Sequence, residues 1–245
     1  MTTPALAENV RGKGRHYKHP ETRDLVPSVT NVIGILDKPA LPRWSAKLVA
    51  ERAAVMKHSL AKMDDGDIVD TLKAVPWQRS SRAADRGTDI HAYLEARLNM
   101  WEPEQLSEDA MPYKEAADDW YQNCYPDEVI GTEVTLFNPA YAGTTDVIMR
   151  RGDKLVIADF KTSKAIYDEA ALQLSALAGC YTDADGRPVP WRDEDGEYLE
   201  FPELVVIRIG VDGWEEKTVA DPMDGLRVFY GLLDAWHWKH EKAYR

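Results

Sequence analysis

The feature that most constrains this chain is a pair of β-type runs, residues 144–150 and 154–160, separated by a short polar turn. Both runs are rich in β-branched and apolar residues, and Gly152-Asp153 between them is typical of a tight hairpin turn. The sequence therefore predicts two antiparallel strands joined by this turn.

The turn also predicts the register of the hairpin. If Gly152 and Asp153 form the turn, Arg151 pairs with Lys154, and counting outward places Asp146 directly opposite Asp159. A four-residue loop keeps this pairing, whereas a three-residue loop shifts it by one. Because side chains alternate along strands, the two aspartates share one face of the hairpin.

Two facing carboxylates need a physical explanation, because like charges directly opposite each other are destabilising. A divalent cation between Asp146 and Asp159 turns the repulsion into ligation, since Mg²⁺ takes hard oxygen ligands from carboxylates, water and phosphate. Lys161 projects to the same side, where an ammonium group suits a developing phosphorane charge or an attacking water. The alternative is a surface hairpin with scattered charges.

Composition bounds the class of protein. The chain has 245 residues, 44% of them hydrophobic and 29% charged, which is typical of a globular protein with a sizeable core. No apolar run approaches the roughly 20 residues of a membrane span, and residues 1–20 lack the apolar segment of a signal peptide. We therefore expect a cytoplasmic protein that does not contact a membrane.

Charge is unevenly distributed. The net charge is −12, with 17 Lys and Arg against 19 Asp and Glu in residues 1–125, and 13 against 23 in residues 126–245. This argues against broad, nonspecific coating of DNA and leaves room only for a local basic track. The candidate residues of this track, which would lead towards Lys161, are Arg79, Arg82, Arg86 and Lys164. They either contact phosphate groups or form a solvated surface.

The chain order predicts an α/β fold of the mixed-sheet (α+β) kind, with helix, three antiparallel strands, helix, further strands and a final helix. We expect a flexible polar arm over residues 1–24 and a single domain over 25–245, divided into a helical part (25–125) and a catalytic core (126–245). Within these parts the predicted elements are a short helix capped by Ser28 or Thr30, helices over 41–56, 80–99, 108–124, 167–181 and 222–243, short helices with a loop over 57–78, strands over 129–137, 204–209 and 214–219, and an acidic loop over 182–200.

Two further residues have open interpretations. His91 lies on the apolar stripe of the 80–99 helix, where a histidine is either a buried, hydrogen-bonded core residue or a site residue. Glu133 lies within the strand over 129–137 and is either an additional metal ligand or an edge-strand charge.

These residues, taken in order, resemble the PD-(D/E)XK nucleases, and in particular the RecB-type exonucleases with phage-encoded and CRISPR-associated members. The resemblance covers roughly residues 25–181 and implies a restriction-endonuclease-like core. The motifs that carry it are Pro-Ser-Val-Thr-Asn from Pro27, Arg-Gly-Thr-Asp-Ile-His ending at His91, Glu133, Gly-Thr-Thr-Asp ending at Asp146, Ala-Asp-Phe-Lys-Thr around Asp159 and Lys161, and Gln173-Leu174.

The resemblance implies a metal-dependent DNA exonuclease. It implies that Asp146, Asp159 and the Phe160 carbonyl ligate Mg²⁺ or Mn²⁺, and that His91 helps to bind the metal. Lys161 would position or activate water, and Gln173 would orient the lysine or a phosphate. The implied partners are DNA and a single-strand-annealing or other recombination protein, in a host cytoplasm if the chain is phage-encoded.

The chain departs from the family pattern at two points. Many CRISPR-associated relatives hold an iron–sulfur cluster on four cysteines, whereas this chain has only Cys124 and Cys180, so we expect no such cluster. The tyrosine usually found four residues after the glutamine is Leu177 here. The competing functions are a structure- or sequence-specific endonuclease of the same fold and a non-catalytic DNA-binding or assembly protein.

Overall fold

A computed structural model describes residues 6–193 and 195–242 and shows the predicted mixed α+β architecture. A 3₁₀ turn at Met111–Tyr113 precedes α4, and a π-helical turn at Trp238–Lys242 follows α6. The strands are β1 (Ala7–Val10), β2 (Gly14–Lys18), β3 (Leu25–Pro27), β4 (Glu128–Asn138), β5 (Tyr141–Arg151), β6 (Lys154–Lys161), β7 (Thr182–Asp183), β8 (Glu203–Gly210) and β9 (Gly213–Thr218). The helices are α1 (Val29–Ile33), α2 (Ala40–Leu60), α3 (Asp65–Leu98), α4 (Lys114–Cys124), α5 (Asp168–Ala178) and α6 (Pro222–His237).

The main sheet has six strands in the order β7-β4-β5-β6-β8-β9. All neighbours are antiparallel except β6 and β8, which run parallel and are connected through α5. The predicted hairpin is confirmed: Arg151 pairs with Lys154, and the register runs up to the pair Val147–Ala158.

Apolar packing holds helices against this sheet. On one face, Leu94 of α3 and Trp120 of α4 belong to the same buried cluster as Val147 of β5 and Ile207 of β8. Helix α5 packs against β5, β6 and β8, and against α1 and α6. As the sequence predicts, α6 buries four apolar side chains, although the end predicted for it, Ala243, lies outside the described residues. These side chains are Leu226, Phe229, Leu233 and Trp236.

The N-terminal segment differs from the flexible polar arm predicted for residues 1–24. Strands β1, β2 and β3 form a three-stranded antiparallel sheet, and Tyr17 and Val26 are buried against Phe137 and Ala142. The segment is polar in composition, but alternation along β2 places Tyr17 in the core, and burial of such a ring outweighs the charged neighbours. Residues 1–5 of the predicted arm lie outside the described part of the chain.

Residues 36–88 form a second compact unit, made of α2 and the first part of α3. Its bounds differ from the helical part predicted over 25–125. Helix α3 is also continuous from Asp65, where short helices and a loop were predicted over 57–78. The physical reason is a cap: the Asp64 carboxylate accepts the Asp67 N–H at 2.9 Å, so the acidic cluster begins a helix, and Pro76 is accommodated within it.

Across residues 6–193 and 195–242, none of the helices combines the length and the apolarity that crossing a bilayer requires.

Candidate metal centre

The β5–β6 hairpin opens at the end that carries the two aspartates. Backbone pairing stops at Val147–Ala158, and side chains take over the next hydrogen bonds. The Thr145 hydroxyl donates to the Ala158 carbonyl at 3.1 Å, and the Phe160 N–H donates to Asp146 Oδ2 at 2.5 Å. The register therefore places Asp146 level with Asp159, while the strands separate there and leave room between them.

A third carboxylate lies at the same level on the neighbouring strand. Thr132 pairs with Val147 and Val134 pairs with Thr145, so Glu133 of β4 falls beside Asp146 of β5. Glu133 has a φ of 49°, a left-handed conformation that costs a non-glycine residue of order 1–3 kcal/mol and is common at functional sites.

His91 joins this row from the C-terminal part of α3. Its Nδ1 lies 3.3 Å from Asp146 Oδ1, and the side chain is largely buried, with 18% exposed. One ligand atom each of His91, Glu133 and Asp146 lie within 4.8 Å of one another. Ile90 and Leu94 fill the core face beside it, and a ligand role for His91 stays a prediction.

Asp159, Lys161 and Gln173 form a second, interlocked group. The Gln173 amide donates to Asp159 Oδ1 at 2.8 Å, and the Lys161 ammonium donates to Gln173 Oε1 at 3.3 Å. Lys161 also forms an ion pair with Asp159 Oδ2, and no other group of the described chain donates a hydrogen bond to this oxygen. Asp159 is only 2% exposed, so this ion pair and one amide are what compensate its burial.

The charged groups of the cluster shift one another's pKa values. Burial on its own lowers the pKa of His91, but the Asp146 carboxylate outweighs it and raises that pKa to about 9. Burial and the neighbouring Asp146 raise the pKa of Glu133 to about 7 and also raise the pKa of Asp159. Burial opposes the charge on Lys161, yet Asp159 and Asp146 raise its pKa above the usual value, so Lys161 is protonated at neutral pH.

The donor set fits a hard divalent cation. Ligand atoms of Glu133, Asp146 and His91 converge, Asp159 lies level with Asp146 on the next strand, and carboxylate oxygens suit Mg²⁺ and Mn²⁺. A separate depression along α4 offers no comparable site, because its Asp118 already pairs with Lys114 at 2.5 Å and with Arg97 at 2.7 Å.

The cluster lines a cleft of about 220 Å³ that also includes residues missed by the sequence analysis. The small N-terminal sheet and the start of α1 contribute them. Ser28 caps α1, as one of the two predicted candidates, by accepting the Asn31 N–H at 3.1 Å. In the sequence, only the Pro-Ser-Val-Thr motif at 27–30 indicates a site role for any of these added residues. The added lining residues are Arg15, Tyr17, Ser28 and Thr30.

Leu177 also lines the cleft, on α5 next to Gly143 of β5. A Cβ atom at Gly143 would lie 2.8 Å from Leu177 Cδ2 and 3.1 Å from Val29 Cγ2, so only glycine fits between these side chains. The position where the resemblance leads one to expect a tyrosine is therefore occupied by an aliphatic wall.

The remaining predicted site residues lie outside this cluster. Phe160 buries its ring against Trp120, with centroids 5.0 Å apart, and contributes its N–H; a ligand role for its carbonyl stays a prediction. Lys164 is exposed between β6 and α5. Arg79, Arg82 and Arg86 belong to the separate 36–88 unit.

Comparisons with known proteins add little. Neither a family model nor a curated protein matches this chain. A solved structure named "Crystal structure of SSO0001" matches with 14% sequence identity and a TM-score of 0.33. The match covers 54% of this chain and 58% of that one, so the chain spans less than two thirds of that structure's length. A likeness at that TM-score establishes neither fold nor function.

Proposed function

We propose that this protein is a Mg²⁺- or Mn²⁺-dependent DNA exonuclease of the PD-(D/E)XK type, which hydrolyses phosphodiester bonds from DNA ends. The observation that carries the proposal is the row of Glu133, Asp146 and Asp159 on three adjacent strands, with Lys161 beside it. Besides burial, Asp146 raises the pKa values of Glu133 and Asp159 beside it, through a repulsion that a divalent cation would relieve, and a lysine next to them suits a substrate that is itself an anion.

In this proposal His91, Glu133, Asp146 and Asp159 hold the metal. When bound, a divalent cation would supply Lewis acidity towards a phosphoryl oxygen and lower the pKa of water. The Phe160 N–H fixes one oxygen of Asp146, which leaves the other oxygen towards His91. The protein's contribution is thus a donor set that is already oriented.

Lys161 then acts as a charged donor rather than as a general base. Because its pKa is raised by the two aspartates, it keeps its proton at neutral pH and donates a hydrogen bond to water or to a phosphate oxygen. Gln173 contacts both Lys161 and Asp159, so it holds the ammonium and the carboxylate in fixed relative positions. Loss of Gln173 would loosen both groups together.

The biological setting is proposed on the resemblance alone. It would be the recombination or degradation of DNA in the cytoplasm of a phage-infected host, with a single-strand-annealing or other recombination protein as partner. A sequence-specific endonuclease of the same fold is the competing assignment, and digestion of different DNA forms separates the two.

The test compares end-labelled linear DNA with covalently closed circles, in Mg²⁺, in Mn²⁺ and in EDTA. We expect linear DNA to be consumed progressively with either metal, closed circles to survive, and EDTA to abolish cleavage. Asp159→Asn, which keeps the shape of the side chain, should lower the cleavage rate by more than about 100-fold, the upper end of the range for residues that support a metal.

Two results would overturn the proposal. Cleavage of closed circles at the rate of linear DNA would replace the exonuclease by the endonuclease. Undiminished cleavage by a purified, folded Asp159→Asn protein, or cleavage that survives EDTA, would remove the metal centre as the source of the activity.

A further inference from the structure

The helical hairpin formed by residues 36–88 has a surface that its own fold does not use. None of these residues is buried, although α2 and the first part of α3 carry large apolar side chains. Trp77 is 71% exposed and Val55 is 78% exposed. A helix normally buries an apolar stripe, so an uncovered hairpin of this size is typical of an interaction surface.

The hairpin is also the basic part of an acidic chain. It has ten Lys and Arg residues against seven Asp and Glu, a net charge of +3, whereas the rest of the chain has 20 against 35, a net charge of −15. The positive hairpin therefore attracts a polyanion, whereas the net negative charge of the rest of the chain repels it.

A cleft of about 460 Å³ lies within the hairpin. On each of the two helices the lining residues recur every three or four positions, so they share one face of that helix. Trp44 lies one turn before Leu48 on α2, so its half-exposed ring continues the same stripe. The lining residues are Leu48, Glu51 and Arg52 from α2, and Val75, Gln78, Arg79 and Arg82 from α3.

Three arginines, Arg52, Arg79 and Arg82, line this cleft. In the part of the chain that the structure describes, Arg52, Arg79 and Arg82 form no ion pair, and the one carboxylate in the cleft, Glu51, pairs with Lys47 at 3.7 Å. In the other unit, by contrast, six arginines are each paired with Asp or Glu. These six are Arg97, Arg150, Arg151, Arg187, Arg208 and Arg227.

We propose that this cleft binds the phosphate backbone of single-stranded DNA. Unpaired guanidinium groups are the side chains best suited to bidentate phosphate contacts, and three of them line one cleft. The apolar walls, Leu48 and Val75, and the ring of Trp44 offer surfaces for sugars and bases, which only an unpaired strand exposes.

This inference deepens the proposed nuclease function, because the strand bound would be substrate or product of the metal centre. Binding is nevertheless measured without cleavage. The probe is a fluorescein-labelled oligo(dT) in EDTA, followed by fluorescence anisotropy as a function of salt, with the full chain. We expect a slope of log K against log salt of about −2, since each phosphate contact on a single strand contributes about −0.7.

The variant Arg79→Gln/Arg82→Gln should weaken binding about tenfold at about 0.1 M salt and reduce the slope to about −0.7. The matched control is Lys73→Gln, which removes an exposed positive charge from the same helix outside the cleft and should change affinity less than about twofold. Arg79→Lys/Arg82→Lys keeps the charge and should retain the slope while losing part of the affinity, which separates phosphate binding from misfolding.

Three outcomes would overturn the inference: equal losses in Lys73→Gln and the double glutamine variant, unchanged binding in the double glutamine variant, or tighter binding of duplex than of single-stranded DNA by the same arginines. Failure of the nuclease proposal looks different. In that case linear DNA survives in Mg²⁺ while oligo(dT) binding keeps its dependence on Arg79 and Arg82.

Discussion

The Phe160 N–H donates a hydrogen bond to the Asp146 carboxylate at 2.5 Å, where the next hydrogen bond of the β5–β6 ladder would otherwise form. One carboxylate thereby does two things. It ends the pairing of the strands, and it is held with its second oxygen 3.3 Å from His91 Nδ1. The opening of the hairpin and the orientation of the first proposed metal ligand are the same structural event.

The first prediction concerns His91 as a metal ligand. His91→Ala should weaken the affinity for Mn²⁺ by about 10–100-fold, because it removes one donor from a cluster whose other members are carboxylates. Isothermal titration of the folded variant measures this directly. A control, His58→Ala on α2, removes a histidine outside the cleft. Equal affinities of His91→Ala and the wild-type protein would return His91 to a structural role.

The second prediction is that metal binding releases protons. The pKa of His91 is raised to about 9 and that of Glu133 to about 7, so both hold protons at pH 6 that a cation must displace. Affinity should therefore rise with pH, by up to about tenfold per unit for each proton released, and level off above pH 9. Titration in buffers of different ionisation enthalpy counts the protons. A pH-independent affinity between pH 6 and 9 would contradict this.

The third prediction concerns the stability of the metal-free protein. The pKa of Glu133 is raised from 4.5 in the unfolded chain to about 7, so the folded state binds this proton more tightly. The stabilisation that this bound proton gives to the folded state is fully present below pH 4.5 and is lost as the pH rises through 7. Glu133→Gln should thus be more stable than the wild-type protein at pH 8 in EDTA, on the order of 1–3 kcal/mol, with little difference near pH 4.5. Urea unfolding at both pH values measures the free energy of unfolding of the two proteins. If this free energy depends on pH identically in both, the prediction is refuted.

The fourth prediction tests the packing of the cleft wall. Gly143→Ala places a methyl group 2.8 Å from Leu177 and 3.1 Å from Val29, and overpacking of this kind costs about 1–3 kcal/mol. Gly231→Ala is the control, because its added methyl group meets nothing within 4 Å and alanine favours helix α6. We expect a lower melting temperature for the first variant and an equal or higher one for the second. If Gly143→Ala is as stable as the wild-type protein, Leu177 and Val29 move to accommodate the added methyl group.

The sequence by itself determined the hairpin and its register. The Gly-Asp turn and strict alternation place Asp146 level with Asp159, because a slip of one residue would move every side chain to the other face. It determined the four buried residues of α6 for the same kind of reason, since the helical period marks its apolar stripe. The metal, the DNA substrate and the exonuclease activity stay predictions.

Only the tertiary structure decided which distant residues complete the cleft. Nothing in the local sequence places His91 of α3 against Asp146, or gives Glu133 a left-handed backbone beside it. The same holds for Tyr17 and Arg15. The polar N-terminal segment that carries them packs against the main sheet through the buried ring of Tyr17, and this packing places both residues at the cleft. Turn chemistry and alternation act between near neighbours, whereas these contacts are set by how helices and sheets pack, which depends on the whole core at once.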